Sequence, residues 1–313
     1  MGKIIGFLNS LLISARPKQW LKNLVIFSPA FFSGEILNLG AMPKLIQAFA
    51  VFCLLSSASY LVNDVRDRRR DRQHPLKKHR PIASGKLSPS AALGSALVIA
   101  GGTLLYTYSE FNLHFFIAGL IFIGIQLSYS LLIRNVIILD ALWVSGAFVV
   151  RVYAGAFVLP TPVSSWIILA VIGLSLLLAF GKRRSERTLL SSLHKRLITR
   201  ETLRHYPDTL LDSMISMSAA YTALAYSIFA FESSPEGGGL SLAGLLPTTL
   251  ASPKWMMITI PVVFYGIARY LFVIYEKKEG ESPEKVLLTD RPLLATIVIW
   301  LIALFLIIYR LKI

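Results

Sequence analysis

The stretch Asn63-Asp64-Val65-Arg66-Asp67-Arg68-Arg69-Arg70-Asp71 lies where a long apolar run ends. On a helix, Asn63, Asp67 and Asp71 fall four residues apart and share one face. Three oxygen donors in a row suit a hard cation such as Mg2+, which is commonly shared with substrate phosphates. Asp64 points off this face and reads as a supporting residue or an additional ligand. The residues that follow, through Lys77, Lys78, Arg80 and Lys86, place cations beside the acids. Acid for a metal next to base for phosphate suits a diphosphate. A charge-balanced loop that only obeys topology is the plainer reading, but it has no need of regularly spaced acids.

Other charged groups can be placed on the same map. Gly181-Lys182-Arg183-Arg184-Ser185-Glu186-Arg187 ends another apolar run. Lys182, Arg183 and Arg184 read either as a phosphate clamp or as topology anchors. Asp208 and Asp212 are spaced i, i+4. They suit a second metal, or equally the free N–H groups at a helix start. Asp140 and Arg151 lie eleven residues apart in one apolar run, close to three helical turns, and Arg269 lies inside a later run. Charges inside a bilayer are costly and normally meet a partner or line a cavity, so Arg151 is expected to meet an acid or an anionic group. Lys18, Lys22 and Tyr129 are further polar candidates for phosphate contact. The five histidines show no metal-ligand spacing, and no Gly-rich nucleotide loop or Ser/His/Asp arrangement stands out.

The elements that must hold these groups are transmembrane helices. The chain has 313 residues, 55% hydrophobic and 16% charged, which is too apolar for a soluble domain. A single cysteine, Cys53, excludes a disulfide framework. Apolar runs of spanning length are expected near 19–38, 42–63, 90–109, 113–132, 137–158, 164–181, 210–231, 254–275 and 291–310. The first of these is interrupted by Pro29, Ser33 and Gly34. The expected fold is an all-α membrane protein, a bundle of nine transmembrane helices in one domain over 1–313. Active-site loops are expected near 64–89 and 182–209. No removable signal peptide is expected at the N-terminus. The formal charge of +15 is concentrated in alternate loops, which places the N-terminus and those loops in the cytoplasm of a cell-membrane protein. Basic residues that flank hydrophobic spans argue against nucleic acid and for anionic lipids or phosphorylated substrates.

The Asn63, Asp64, Asp67 and Asp71 pattern, followed by Arg80-Pro81 and Ser84-Gly85, resembles the first motif of the UbiA superfamily of intramembrane prenyltransferases. The chain is most similar to the branch that transfers phosphoribose to a polyprenyl phosphate. The resembling segments are Arg16 to Asn23, Asn63 to Gly85, Leu139-Asp140 with Arg151 and Ala154-Gly155-Ala156, Gly181 to Glu186, and Pro283 to Pro292. The resemblance implies the following assignments. Mg2+, with Mn2+ as a substitute, would be held by Asn63, Asp67 and Asp71. 5-Phosphoribosyl 1-diphosphate (PRPP) would be the donor and a polyprenyl monophosphate the acceptor, in the service of arabinose-containing envelope glycans. Lys77 and Arg80 would bind diphosphate, and Lys182, Arg183 and Arg184 the 5-phosphate or lipid phosphate. Aromatic prenyltransferases of the superfamily carry acids after span six, where this chain begins Lys182-Arg183-Arg184, a departure that favours a donor with an extra phosphate. An aromatic prenyltransferase using a prenyl diphosphate is the alternative within the superfamily. A transporter or lipid-binding scaffold is the alternative outside it. Homo-oligomer formation stays open.

Overall fold

The computed structural model describes residues 2–74, 77–192, 206–234, 254–277 and 283–310. Among these there are helices and no strand. The α-helices are α1 (Gly2–Ala15), α2 (Ser28–Ser33), α3 (Met42–Gln73), α4 (Pro81–Ser84), α5 (Pro89–Glu110), α6 (Leu113–Leu131), α7 (Leu139–Val158), α8 (Ser165–Ser192), α9 (Asp208–Glu232), α10 (Ile260–Phe272), α11 (Pro283–Thr289) and α12 (Arg291–Arg310). Eight helical stretches of the described residues are long and apolar enough to cross a membrane: Met42–Gln73, Pro89–Glu110, Leu113–Leu131, Leu139–Val158, Ser165–Thr188, Asp208–Glu232, Trp255–Lys277 and Arg291–Tyr309. They match eight of the nine expected spans to within a few residues, except that α3 and α8 run on well past the expected ends. The motif acids, read on a helical face within the expected 64–89 active-site stretch, stand on the last turns of a 32-residue helix.

The ninth expected span, 19–38, is not one long helix. It folds as a 3-10 helix (Pro17–Phe27), then α2, then a second 3-10 turn (Glu35–Leu37). Pro17 fixes the start of the first piece, Pro29 opens the second, and Gly34 in the left-handed region (φ 88°) ends it. An 11-residue 3-10 helix is unusually long. Its period of three lines Trp20, Asn23 and Ile26 along one edge. Trp20 Nε1 donates to Ser57 Oγ at 3.1 Å and Asn23 Nδ2 to Cys53 Sγ at 3.3 Å, and the Phe27 ring lies 5.7 Å from that of Phe49. The segment thus runs antiparallel along α3, away from the motif acids. Gly155 of α7 permits this close packing, because a Cβ there would run into the Ile26 carbonyl.

The chain forms two compact units. The first holds residues 1–162 and 193–206, the second 163–192 and 207–313. The first is built around α3. One core joins Phe52, Leu55, Phe115 and Phe122 with Ile26, Ala147 and Ala154, and another joins Leu61, Ile82, Leu87, Ala92 and Ala96. The second packs α8 on α9 and α10 on α12. Gly173 of α8 lets Thr222 and Tyr221 of α9 come close. Many apolar side chains on the spans stay exposed, such as Leu97, Val98 and Leu105 on α5 and Ile299 and Ile302 on α12. Such exposure is expected where lipid is the solvent.

Candidate active site

At the far end of α3 Asp64 and Asp71 are buried, Asp67 is half-buried, and each of the three meets an arginine. Asp64 is 2% exposed and Asp71 5%. Arg80 Nη1 donates to Asp71 Oδ2 at 2.7 Å and to Asp64 Oδ1 at 3.2 Å. Arg16 also donates to Asp64, and its guanidinium lies over the Tyr60 ring. Arg16 holds a left-handed backbone (φ 54°), uncommon for a residue with a side chain, at the joint between α1 and the 3-10 segment. Asp67 faces a different partner. Arg134, in the link between α6 and α7, donates Nη1 to Asp67 Oδ1 at 2.5 Å and Oδ2 at 2.7 Å.

Asp64 lies off the Asn63 face, as expected, but close to Asp71. Seven residues are nearly two full turns, so Asp64 and Asp71 stand within about 20° of each other around the helix. Four-residue steps drift by about 40° each, which carries Asp67 toward the Arg134 side. Asp64 is therefore a full member of the acid cluster. The Oδ1 atom of Asn63 is buried with no hydrogen-bond partner. Oxygen atoms of Asn63, Asp67 and Asp71 are the donors a hard divalent cation takes, and an orphaned amide oxygen beside them fits one. Among the described residues no three His, Cys, Asp or Glu side chains are gathered as a ligand group. Arg134 holds both oxygens of Asp67, and Arg80 holds one oxygen of Asp71.

The other sequence candidates distribute as follows. Lys18 and Lys22 lie on the 3-10 segment, Lys18 exposed and Lys22 half-buried. Lys77 is half-buried on a single 3-10 turn just before Arg80, and its N–H donates to His74 Nδ1. Tyr129 is half-buried near the end of α6. Asp140 is fully buried at the start of α7, where its Oδ1 accepts from Tyr206 Oη at 2.9 Å. The Ile138 N–H donates to the same hydroxyl, holding Ile138 at φ 67°, an outlier for a β-branched residue. Arg151 does not meet an acid. Its Nε donates to Asn23 Oδ1 at 2.6 Å and its Nη1 to the Ala147 carbonyl at 2.8 Å.

In the second unit, α8 carries Lys182, Arg183 and Arg184, with Arg183 buried and the other two half-buried. Arg184 Nε donates to Asp212 Oδ1 at 2.8 Å, and Arg184 and Arg187 both reach Asp208. Tyr275 Oη donates to Asp212 as well. Asp208 and Asp212, considered above for a second metal, thus stand on arginines, with side chains 51% and 40% exposed. Arg269 is bidentate on Asp290, at 3.0 and 2.9 Å, and Lys277 Nζ adds a contact at 2.7 Å. The Arg269 hydrogen bond first, then that of Lys277, holds the Asp290 carboxyl well below the usual carboxylate range.

The sequence reading missed Arg16, Asn23, Arg134 and Tyr206. In the sequence, Arg134 is one cation after an apolar run, and Arg16 and Asn23 are the ends of one segment that resembles the family. Arg134 and Arg16 became site residues through contacts that bridge 67 and 48 positions in the chain.

Known proteins agree with this architecture. Residues 25–187 match the UbiA prenyltransferase family. A decaprenyl-phosphate phosphoribosyltransferase of Mycolicibacterium smegmatis is 30% identical over 95% of this chain and 91% of its own length. One from Corynebacterium glutamicum is 30% identical over 94% and 85%. A UbiA homologue of Archaeoglobus fulgidus, solved with DMAPP and Mg2+, superposes with a TM-score of 0.67 at 18% identity, covering 96% of this chain and 99% of that one. With its apolar helices and its acid motif at the end of α3, the chain is an integral membrane transferase that belongs to the UbiA prenyltransferase family.

Proposed function

We propose that the protein transfers 5-phosphoribose from PRPP to a polyprenyl monophosphate of the decaprenyl type, releasing diphosphate. The observation that carries this reading is the end-to-end match to relatives named for that transfer, over 95% of this chain. The acids at the end of α3 and their arginines would supply the chemistry it needs. A divalent cation, Mg2+ by preference, would be held by Asn63, Asp67 and Asp71, with Asp64 beside them, and would supply charge neutralisation at the leaving diphosphate. Arg80, and Lys77 near it, would bind the same diphosphate. Arg134, released from Asp67, has a guanidinium suited to a phosphate oxygen. The C1–O bond to diphosphate breaks as the lipid phosphate oxygen bonds C1 from the opposite face. The lipid phosphate is already anionic at neutral pH, so no strong general base is needed. That agrees with the absence of an obvious catalytic histidine in the sequence reading. Lys18, Lys22 and Tyr129 are weaker phosphate candidates, and Asp140 reads as a positioning residue through Tyr206.

The proposed topology has nine crossings with the N-terminus and the motif acids in the cytoplasm. The 3-10 segment and α2 supply the first crossing. Eleven residues at about 2.0 Å each and six at about 1.5 Å reach about 31 Å, the thickness of a bilayer core. The product would serve arabinose-containing envelope glycans.

A transfer assay on detergent-purified protein tests the reaction. Labelled PRPP, polyprenyl phosphate and Mg2+ are expected to give labelled lipid, and Asp67→Ala to abolish it. A parallel mixture of prenyl diphosphate and 4-hydroxybenzoate is expected to stay silent. Product in the second mixture alone would make the protein an aromatic prenyltransferase.

A further inference from the structure

Arg151 carries a charge that no described carboxylate answers. It lies on α7 twelve residues past Leu139, about 18 Å along the helix. It is 3% exposed. Its guanidinium is flanked by two aromatic rings, Phe122 with its centroid 4.6 Å away and Phe148 at 5.2 Å. Asn23 is itself oriented by its Nδ2 contact to Cys53 Sγ, which turns its Oδ1 to Arg151 Nε. Of the five N–H donors of a guanidinium, described residues take two. Arg16, Arg80, Arg134, Arg184, Arg187 and Arg269 each have a carboxylate partner. Burying an unpaired cation costs several kcal/mol, and such a group in a membrane protein normally answers an anion.

Position indicates which anion. Arg151 lies within electrostatic range of Tyr60 and Cys53 on α3. Tyr60 is three residues inward from Asn63 and Cys53 ten, about 5 and about 15 Å along the helix. The cation therefore sits inward of the acid motif, along the same helix. A pentose with a diphosphate at one end and a phosphate monoester at the other has its second anion displaced from the first by the sugar. A prenyl diphosphate has only hydrocarbon at that place.

We propose that Arg151, oriented by Asn23, forms a subsite for a phosphate monoester of the substrates. The donor's 5-phosphate and the acceptor's lipid phosphate share that chemistry. The proposal deepens the phosphoribosyl-transfer reading and rests on it.

The test compares wild type with Arg151→Met and Arg151→Lys. Removing a buried cation that has no carboxylate partner relieves its desolvation cost, so Arg151→Met is expected to fold, which its melting temperature verifies. The first arm measures KM for PRPP and for polyprenyl phosphate separately. Arg151→Met is expected to raise the KM for PRPP about tenfold or more, with Arg151→Lys between the two. A rise confined to polyprenyl phosphate assigns the subsite to the lipid instead. The second arm measures thermal protection by ribose 5-phosphate and, separately, by Mg2+ with inorganic diphosphate. Arg151→Met is expected to lose the first protection and keep the second. Unchanged KM values together with retained ribose 5-phosphate protection overturn the subsite. A wild type that transfers no phosphoribose overturns the reaction, and the ribose 5-phosphate arm then decides the subsite by itself.

Discussion

Two charge clusters in this molecule use the same parts and differ in what they leave unsatisfied. At the head of α12, Asp290 accepts from Arg269 Nε and Nη2, from Lys277 Nζ and from the Leu293 N–H at 3.1 Å. It caps a helix and closes two cations, and both its oxygens are used. At the end of α3, Asp64, Asp67 and Asp71 also meet arginines, yet Asn63 Oδ1 is buried without a partner and Arg151, further along, has no acid. The first cluster holds together without a ligand. The second holds acceptors and donors in reserve, at a cost to stability, which is what a binding site requires. Both combine charges at the margins of apolar runs with an arginine inside one, and sequence position alone does not separate them.

After the loss expected for Asp67→Ala, the largest expected effect is at Asn63. Its orphaned oxygen makes no hydrogen bond within the described protein, so Asn63→Ala is expected to leave the melting temperature unchanged or raise it. If that oxygen serves a metal, transfer should fall about tenfold to a hundredfold and recover in part at high Mg2+. A loss of stability with activity intact would put the α3 cluster in the same class as Asp290.

Asp290→Asn is expected to do the reverse. It leaves Arg269 and Lys277 without their carboxylate, so melting should drop by several degrees while the KM values of the folded enzyme stay put. The pH dependence has a defined sign. The folded carboxyl titrates below its unfolded value, so the unfolded chain binds more protons as pH falls. The stabilisation is fully present above the unfolded value of about 4 and is lost below it. The melting difference between wild type and Asp290→Asn should therefore be flat from pH 5 to 8, a range set by that value, and narrow only under more acidic conditions. A gap that changes near neutrality would point to a different titrating group.

Much of this was legible in the sequence. Eight spans and the acid motif follow from hydropathy and from four-residue spacing, both local properties. The first crossing was legible as an apolar run with Pro29 and Gly34 in it, but not as a 3-10 helix, because its form depends on Gly155 lying 128 residues beyond Phe27. Asp64 was read as lying off the Asn63 face, and the step of seven that sets it beside Asp71 under Arg80 was not followed. The arginine partners were hidden for a similar reason. Arg134 and Arg16 look like topology anchors until α3 is placed between them. Arg151 was recognised as a charge in need of a partner, and the partner expected was an acid or an anionic group. Only packing shows Asn23 and two aromatic rings in its place.

The smallest effect is expected at Arg184, and it tests whether half-exposed pairs belong with either cluster. Arg184 binds Asp212 and Asp208 where both acids keep a large part of their surface in solvent. Water screens such pairs, and the median exposed ion pair contributes less than about 1 kcal/mol. Arg184→Gln should therefore move the melting temperature little, and raised salt should remove most of the difference. Transfer activity is the sharper readout. If Arg184 only anchors α9 to α8, KM for both substrates stays near wild type. If it leaves Asp212 to take a phosphate, KM for one substrate rises while stability hardly changes. That pattern would show that a pair weak enough to open can serve as a binding group, whereas the Asp290 cluster, with every bond used, cannot.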